Sequence, residues 1–307
     1  MRSNKGTVRA TDWVNYEERF DAVAVHISEH LSDPLDLIRL AEVAGLSPRH
    51  WHRVFTAAFG EPLAAYIKRK RLQHASFLLA NTRESVAAIA VSCGYPNVSS
   101  FTRAFGAAYE LPPARYRIAG SHVAFDRARA AFDPLAFDVQ IRDVAPLDCL
   151  AVAHRGSYIQ IDEAFRDLEI WYAAHGHGSK AQQLFGIYSS DPTQTPEAEL
   201  RSLACCPRPA GLVGSPVPVS AGAAEIVEIT IAGGSYAVLS HSGPYADMPA
   251  KYDWLFGCWL IASGYQLSEQ PVVEQYVTLP HNTPPSDLRT EMWLPLMSDP
   301  TADGAAQ

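Results

Sequence analysis

The 307-residue chain is 48% hydrophobic with a formal net charge of −8, which is enough apolar content for about two separately cored units. It holds no run of roughly 18 apolar residues and opens on MRSNKGTVRATDW with no apolar segment, so neither a membrane span nor a secretory signal is expected, and a cytoplasmic protein is predicted. The charge is split: residues 1–120 hold 15 Lys and Arg against 11 Asp and Glu, whereas the remainder holds 10 against 22, so an acidic second half follows a basic first half. Any nucleic-acid site is therefore expected in the first half. The run Lys68-Arg69-Lys70-Arg71 has the pattern of a solvated helix face. Cys93, Cys149, Cys205, Cys206 and Cys258 lack metal-type spacing and predict reduced structural thiols; no metal and no cofactor is expected.

In chain order, Tyr16–Leu31 predicts an opening helix with Phe20, Val23, Ile27 and Leu31 inward. Asp36 and Ser85 are placed to cap helices over Leu37–Ala44 and Val86–Cys93, and Gly45 and Gly94 to end them in the left-handed region. Ser47-Pro48 and Asn97 start the next helix of each pair. The two pairs are repeats: residues 49–66 match 99–116 at an offset of 50, with Trp51 on Phe101, Arg53 on Arg103, Phe55 on Phe105, Pro62 on Pro112 and Tyr66 on Tyr116. Leu63–Ala80 between them predicts one long helix, for about seven helices in all.

From about Phe137 the texture turns to short β runs. Residues 187–207 match 275–295 at an offset of 88, and AVAHRGSY (151–158) matches AVLSHSGPY (237–245) with one insertion. Each half reads strand, strand, helix, strand, strand, with helices at roughly Ile161–His175 and Met248–Ser263 and a Gly/Pro-rich connector at 209–224. The fold class is thus multidomain: an all-α paired helix-turn-helix domain (1–118), a linker (119–136) whose DRARAAF stretch can be helical, and a duplicated α+β domain (137–307).

In a helix-turn-helix the second helix enters the major groove and its outward side chains meet base edges. With Trp51, Val54, Phe55 and Ala58 inward, the outward set of the first unit is Arg49, His52, Arg53 and Thr56. In the second unit it is Val98, Ser99, Thr102 and Arg103, a shorter and less charged set. Arginine at the same register in both units is what separates this reading from an ordinary helical bundle.

In the second half, strand alternation puts Glu274 and Tyr276 on one face and Glu291 and Trp293 on one face. Neither carboxylate is repeated, since Gly186 aligns with Glu274 and Leu203 with Glu291, while Tyr188 repeats Tyr276. A groove shared between the halves would then offer carboxylates from one side only, with Tyr245, Trp254, Tyr276 and Trp293 as aromatic walls, a setting suited to a cation. His241 is read as holding the HSGPY turn.

Residues 17–117 resemble the DNA-binding domain of the AraC/XylS family. The resemblance rests on SVAAIAVSCGYPNVSSFTRAFGAAYELPPARYR (85–117), which fits A-x-x-x-G-[FY], F-x-R-x-F and P-x-x-[FY]-R in order. It implies seven helices and two recognition helices in successive major grooves, with Arg49, His52, Arg53, Val98, Ser99, Thr102 and Arg103 falling where the family meets DNA. Most members carry this domain last; here it comes first. That order, with HSGPY (241–245) and LRTEMWLP (288–295), is similar to the right-origin-binding subgroup, with a GyrI-like effector domain over 137–297. The implied protein is a non-enzymatic regulator, of the activator kind, with double-stranded DNA, a small amphipathic or cationic effector and RNA polymerase as partners and no membrane. Two alternatives stand beside it: a GyrI-like hydrolase using Glu274 and Tyr276, and a drug-sequestering protein.

Overall fold

The computed structural model describes residues 19, 22–175, 177, 183–212 and 224–297. In the first helix, α1 (22–29), Val23 and Ile27 are fully buried; Phe20 lies outside the described residues. Asp36 accepts from the Ile38 amide at 2.6 Å and starts α2 (Leu37–Val43), which is followed by α3 (Pro48–Phe59) and α4 (Leu63–Asn81). Ser85 and Asn97 cap α5 (Val86–Ser92) and α6 (Val98–Tyr109) in the same way, whereas Ser47 makes no side-chain cap bond. Gly94 sits at φ +71, and a Cβ there would meet the Leu31 carbonyl at 2.5 Å and the Arg71 guanidinium at 2.7 Å, so both conformation and space demand glycine.

Each repeat buries its own aromatic core. In the first, Trp51, Phe55 and Tyr66 pack with Val23, Ile27, Leu40 and Leu63; in the second, Phe101, Phe105, Tyr109 and Tyr116 pack with Leu72, Leu79 and Ile89. Helix α4 serves both cores, so its buried residues ring the helix instead of forming one stripe. The basic run on α4 departs from the solvated face that its charge suggests. Lys68 is exposed, but Arg69 holds Glu61 at 2.7 Å and Arg71 donates to the Leu31 and Asp33 carbonyls. Lys70 is 5% exposed and pairs with Asp162 of the second half at 2.9 Å. Tertiary partners, absent from any local pattern, take these charges out of water.

After α7 (Pro113–Ala119), the linker forms α8 (Ser121–Ala130), whose Phe125 and Ala128 enter the core of the C-terminal half. That half then runs β1 (Val139–Val144), β2 (Leu147–Arg155), α9 (Asp162–Ala174), β3 (Leu184–Tyr188) and β4 (Arg201–Pro207), and repeats with β5 (Ile226–Ile231), β6 (Gly234–Ser242), α10 (Met248–Trp254), β7 (Val272–Tyr276) and β8 (Arg289–Pro295). Helix α10 continues through a π-helical turn, Leu255–Leu260, to Ser263. The eight strands form one antiparallel sheet in the order β1-β6-β8-β7-β3-β4-β2-β5. The two repeats exchange their first strands: β1 pairs with β6 and β5 with β2. They join at the centre through β3 and β7, where Gly186 stands opposite Glu274. Helices α9 and α10 cover one face, each over its own repeat, and leave a trough above the β3–β7 seam. The opposite face buries Phe185, Tyr236, Val273 and Trp293 against one another.

The halves meet over a polar, buried junction. Asp247, 1% exposed, accepts from Tyr116 Oη at 2.6 Å, from His122 Nδ1 at 3.0 Å and from Ser121 Oγ. Burial pulls the His122 imidazole down, and its bond to the Asp247 carboxylate more than offsets this, leaving it above its ordinary value. Beside this junction Lys251, 2% exposed, contacts His241 and lies 4.9 Å from the centre of the Phe125 ring. Burial lowers its ammonium to about 7. Between about pH 7 and the ordinary Lys value of 10.5 the unfolded chain therefore binds the extra proton, and stability should rise with pH. The slope from this group is at most about 1.4 kcal/mol per pH unit. Urea unfolding at pH 7 and 9.5 should show this rise in the parent and lack it in Lys251→Met; equal slopes would remove Lys251 from the account.

Candidate functional site

Two sites emerge, one on the N-terminal helices and one in the trough. On α3, Trp51 and Phe55 point inward, and His52 and Arg53 are exposed. Thr56 is half-buried and returns its hydroxyl to the His52 carbonyl at 2.8 Å. The side chain of Arg49 lies outside the described residues. On α6, Phe101 and Phe105 are fully buried, Val98 is 40% exposed, Ser99 and Arg103 are exposed and Thr102 is half-buried. Among the described residues, Arg53 and Arg103 make no hydrogen bond or ion pair, so both guanidinium groups are available to an external acceptor. Surface arginines with no internal partner, at one register of two equivalent helices, suit guanine edges or phosphates.

In the trough, Glu274 is 5% exposed. Its Oε1 accepts from Tyr252 Oη at 2.9 Å and its Oε2 from Tyr276 Oη at 2.9 Å. Tyr276 is bonded in turn to Tyr188, the residue that repeats it, and its ring is edge-on to Phe165 at 5.2 Å and to Tyr245 at 5.5 Å. At the position that repeats Glu274 stands Gly186. A Cβ at 186 would meet the Tyr188 ring at 2.8 Å, so glycine makes room for that ring to lie over the seam. Burial raises the Glu274 carboxyl above its ordinary value, and the Tyr252, Tyr276 and Tyr188 hydroxyls hold the rise back. Among the described residues no lysine or arginine contributes to that balance. The arrangement is a buried carboxylate held by phenols and walled by aromatic rings, inside a cleft of about 1860 Å³.

The other expected groove residues divide. Tyr245 and Tyr276 line the cleft with Glu274. Glu291 and Trp293 do not: Val273 pairs with Trp293 and Gln275 with Glu291, so both sit on the sheet face opposite Glu274. There Glu291 is held by Arg142 at 2.8 Å and by the Trp293 indole at 3.1 Å. Trp254 is fully buried in the core under α10 and donates to the Asp133 carbonyl at 2.9 Å. The sequence reading missed Tyr188 and Tyr252 as partners of the carboxylate. Tyr188 was in plain view as the repeat of Tyr276, whereas nothing local signals Tyr252, which arrives from α10 and its neighbours. His241 Nε2 lies 3.1 Å from the Pro244 carbonyl, within the HSGPY turn. Among the described residues no three His, Cys, Asp or Glu are grouped to hold a metal, and no helix is long and apolar enough to cross a membrane.

Comparison with known proteins gives two family matches. Residues 137–297 match the GyrI-like small molecule binding domain, and residues 40–119 match a helix-turn-helix domain. The multiple antibiotic resistance protein MarA of Salmonella typhimurium is 29% identical over 107 residues, 33% of this chain and 84% of MarA. The transcriptional regulator Rob of the same organism is 33% identical over 101 residues, 33% of this chain and 35% of Rob. Among solved structures, the C-terminal domain of EcmrR aligns over 53% of this chain and 99% of its own at 14% identity and a TM-score of 0.40.

Proposed function

The chain belongs to the GyrI-like small-molecule-binding family and carries an AraC/XylS-type helix-turn-helix domain before it, and from that premise we propose that its trough takes a lipophilic cation. It is a sequence-specific DNA-binding transcription regulator with a small-molecule-binding C-terminal domain. The observation that carries the cation reading is Glu274: a carboxylate 5% exposed and held by phenol donors, with no basic side chain among the described residues offsetting its burial. A buried charge of this kind is costly until an opposite charge joins it, and ring faces add about 0.5–2 kcal/mol for a desolvated cation. Both carboxylate oxygens already accept hydrogen bonds, which favours a binding role over activation of water. Titrating the full chain with phenyltrimethylammonium and with its neutral isostere tert-butylbenzene tests this. The cation should bind at least about tenfold tighter, given the electrostatic terms above; comparable affinities would refute the charge reading.

We assign DNA contact to residues 1–118, the join to 119–136 and effector binding to 137–307. Base edges fall to Arg49, His52, Arg53 and Thr56 in the first unit and Val98, Ser99, Thr102 and Arg103 in the second, supported by the exposure of Arg53 and Arg103. Arg53→Ala should weaken binding to a selected operator by about 1–3 kcal/mol, and gel-shift titration on fragments selected from a random pool measures it. Parental affinity in that variant would mean that α3 presents another face. Placement in the right-origin-binding subgroup is part of this proposal and is supported by the order of the two halves, a helix-turn-helix domain before a GyrI-like one. A cytoplasmic location and contact with RNA polymerase belong to the same proposal.

A further inference from the structure

The cleft is larger than the GyrI-like half accounts for. At about 1860 Å³ it exceeds the roughly 300–1,000 Å³ of an ordinary ligand pocket. Part of its wall comes from the DNA-binding half. Tyr66, Arg69, Gln73 and Phe77 line it from α4, and Phe59 lines it at the end of α3. The four α4 positions are spaced three, four and four residues apart, so they form one stripe along the helix. That stripe is held against the second half by Lys70 on Asp162 at 2.9 Å and, from α1, by Ser28 on Glu163 at 2.7 Å. Tyr245 stands between the two ends of the cleft. Its ring meets Tyr276 beside Glu274, and with Arg69 and Gln73 it also lines a smaller pocket that runs between the halves. Its hydroxyl is buried with no hydrogen-bond partner among the described residues, a donor without an acceptor.

We infer that the effector site is shared between the two halves: an elongated cation places its charge at Glu274 and a hydrogen-bond-accepting, aromatic far end against Tyr245, Gln73 and Phe77. This rests on the cation reading above and adds the second wall. The wall also gives the ligand a route to the first recognition helix. Phe59 closes α3 and stacks on Phe55 at 4.1 Å, and Phe55 meets Trp51 at 5.4 Å, so an occupant beside Phe59 presses on the core that sets the tilt of α3. A ligand that touches both halves binds their docked arrangement in preference to any other, and thereby shifts DNA affinity; DNA shifts ligand affinity by the same factor.

The test uses the full chain and two probes. One is phenyltrimethylammonium, which reaches Glu274 only. The other is the same cation extended at the para position by a benzamide arm, whose carbonyl supplies the acceptor. Phe77→Ala and Gln73→Ala should each weaken the long probe by roughly three- to tenfold, as loss of one apolar contact or one hydrogen bond does, and leave the short probe within about twofold; Tyr245→Phe, which keeps the ring beside Glu274 and removes only the hydroxyl, should weaken the long probe more than the short one by a similar factor. Tyr245→Phe removes a single oxygen and keeps the test valid if a truncation on α4 unfolds the protein. In the parent, the long probe should slow hydrogen exchange over residues 59–77, and the short probe should not. Unchanged long-probe affinity in all three variants, or protection confined to residues beyond 137, overturns the shared wall. Glu274→Gln separates the layers: if it binds both probes as the parent does, the cation reading itself fails, whatever α4 contributes.

Discussion

Glu274→Gln should weaken binding of a quaternary ammonium ion by about thirtyfold or more. The carboxylate is 5% exposed and its two oxygens are fixed by Tyr252 and Tyr276, each at 2.9 Å, so the site is preorganised for a positive charge. Glutamine keeps the shape and removes the charge. Losing one partner of a buried charge pair costs about 2–5 kcal/mol, thirtyfold or more in affinity. The amide also brings two donors where phenol hydroxyls already donate, which leaves polar hydrogens opposed. Neutral ligands should lose far less, and an equal loss for both would mean that Glu274 shapes the cleft instead of charging it. The same residue sets a pH dependence. Burial raises its carboxyl above the ordinary 4.5, so protonation begins in milder acid than for an exposed glutamate. Cation affinity should fall as pH drops through that raised value, and the fall should disappear in Glu274→Gln.

Asp247→Ala should cost about 3–5 kcal/mol of stability, the range for removing one member of a buried ionic cluster. The carboxylate takes hydrogen bonds from Tyr116 at 2.6 Å, His122 at 3.0 Å and Ser121, and all three donors lose their acceptor at once. The damage falls on the junction. Tyr116 closes the aromatic core of the second helix-turn-helix unit, Ser121 and His122 start α8, and Asp247 lies just before α10. Urea unfolding should therefore move to a lower midpoint and lose cooperativity as the halves part. Asp247→Asn, which keeps one acceptor, should fall between parent and alanine variant. A midpoint shift worth under about 1 kcal/mol would show that the cluster is merely accommodated.

Much of this was legible without coordinates, because caps, turns and repeats are local. Asp36, Ser85 and Asn97 each bond an amide two or three residues ahead, and Gly45 and Gly94 take positive φ, all within one turn of helix. The outward placement of Arg53 and Arg103 follows from the inward placement of Trp51, Phe55, Phe101 and Phe105, since a helix fixes relative direction every few residues. The ββαββ repeats could likewise be counted from spacing alone.

What remained lay in relations between segments distant in the chain. Alternation makes Glu274 a face-mate of Tyr276, and Glu291 of Trp293, but it cannot say whether the two pairs share a face. That depends on the β7–β8 register, in which Trp293 stands opposite Val273, and the answer sends the pairs to opposite sides. Nor does a repeat reveal that its first strand is traded to the other copy, because each copy alone satisfies the same pattern. The basic run on α4 reads as solvated until Asp162 arrives from 92 residues away to meet Lys70. Local sequence thus determined the elements and their faces, whose energies act over a few residues. Docking decided which faces meet, and with it the cleft, through contacts whose partners no window of sequence contains.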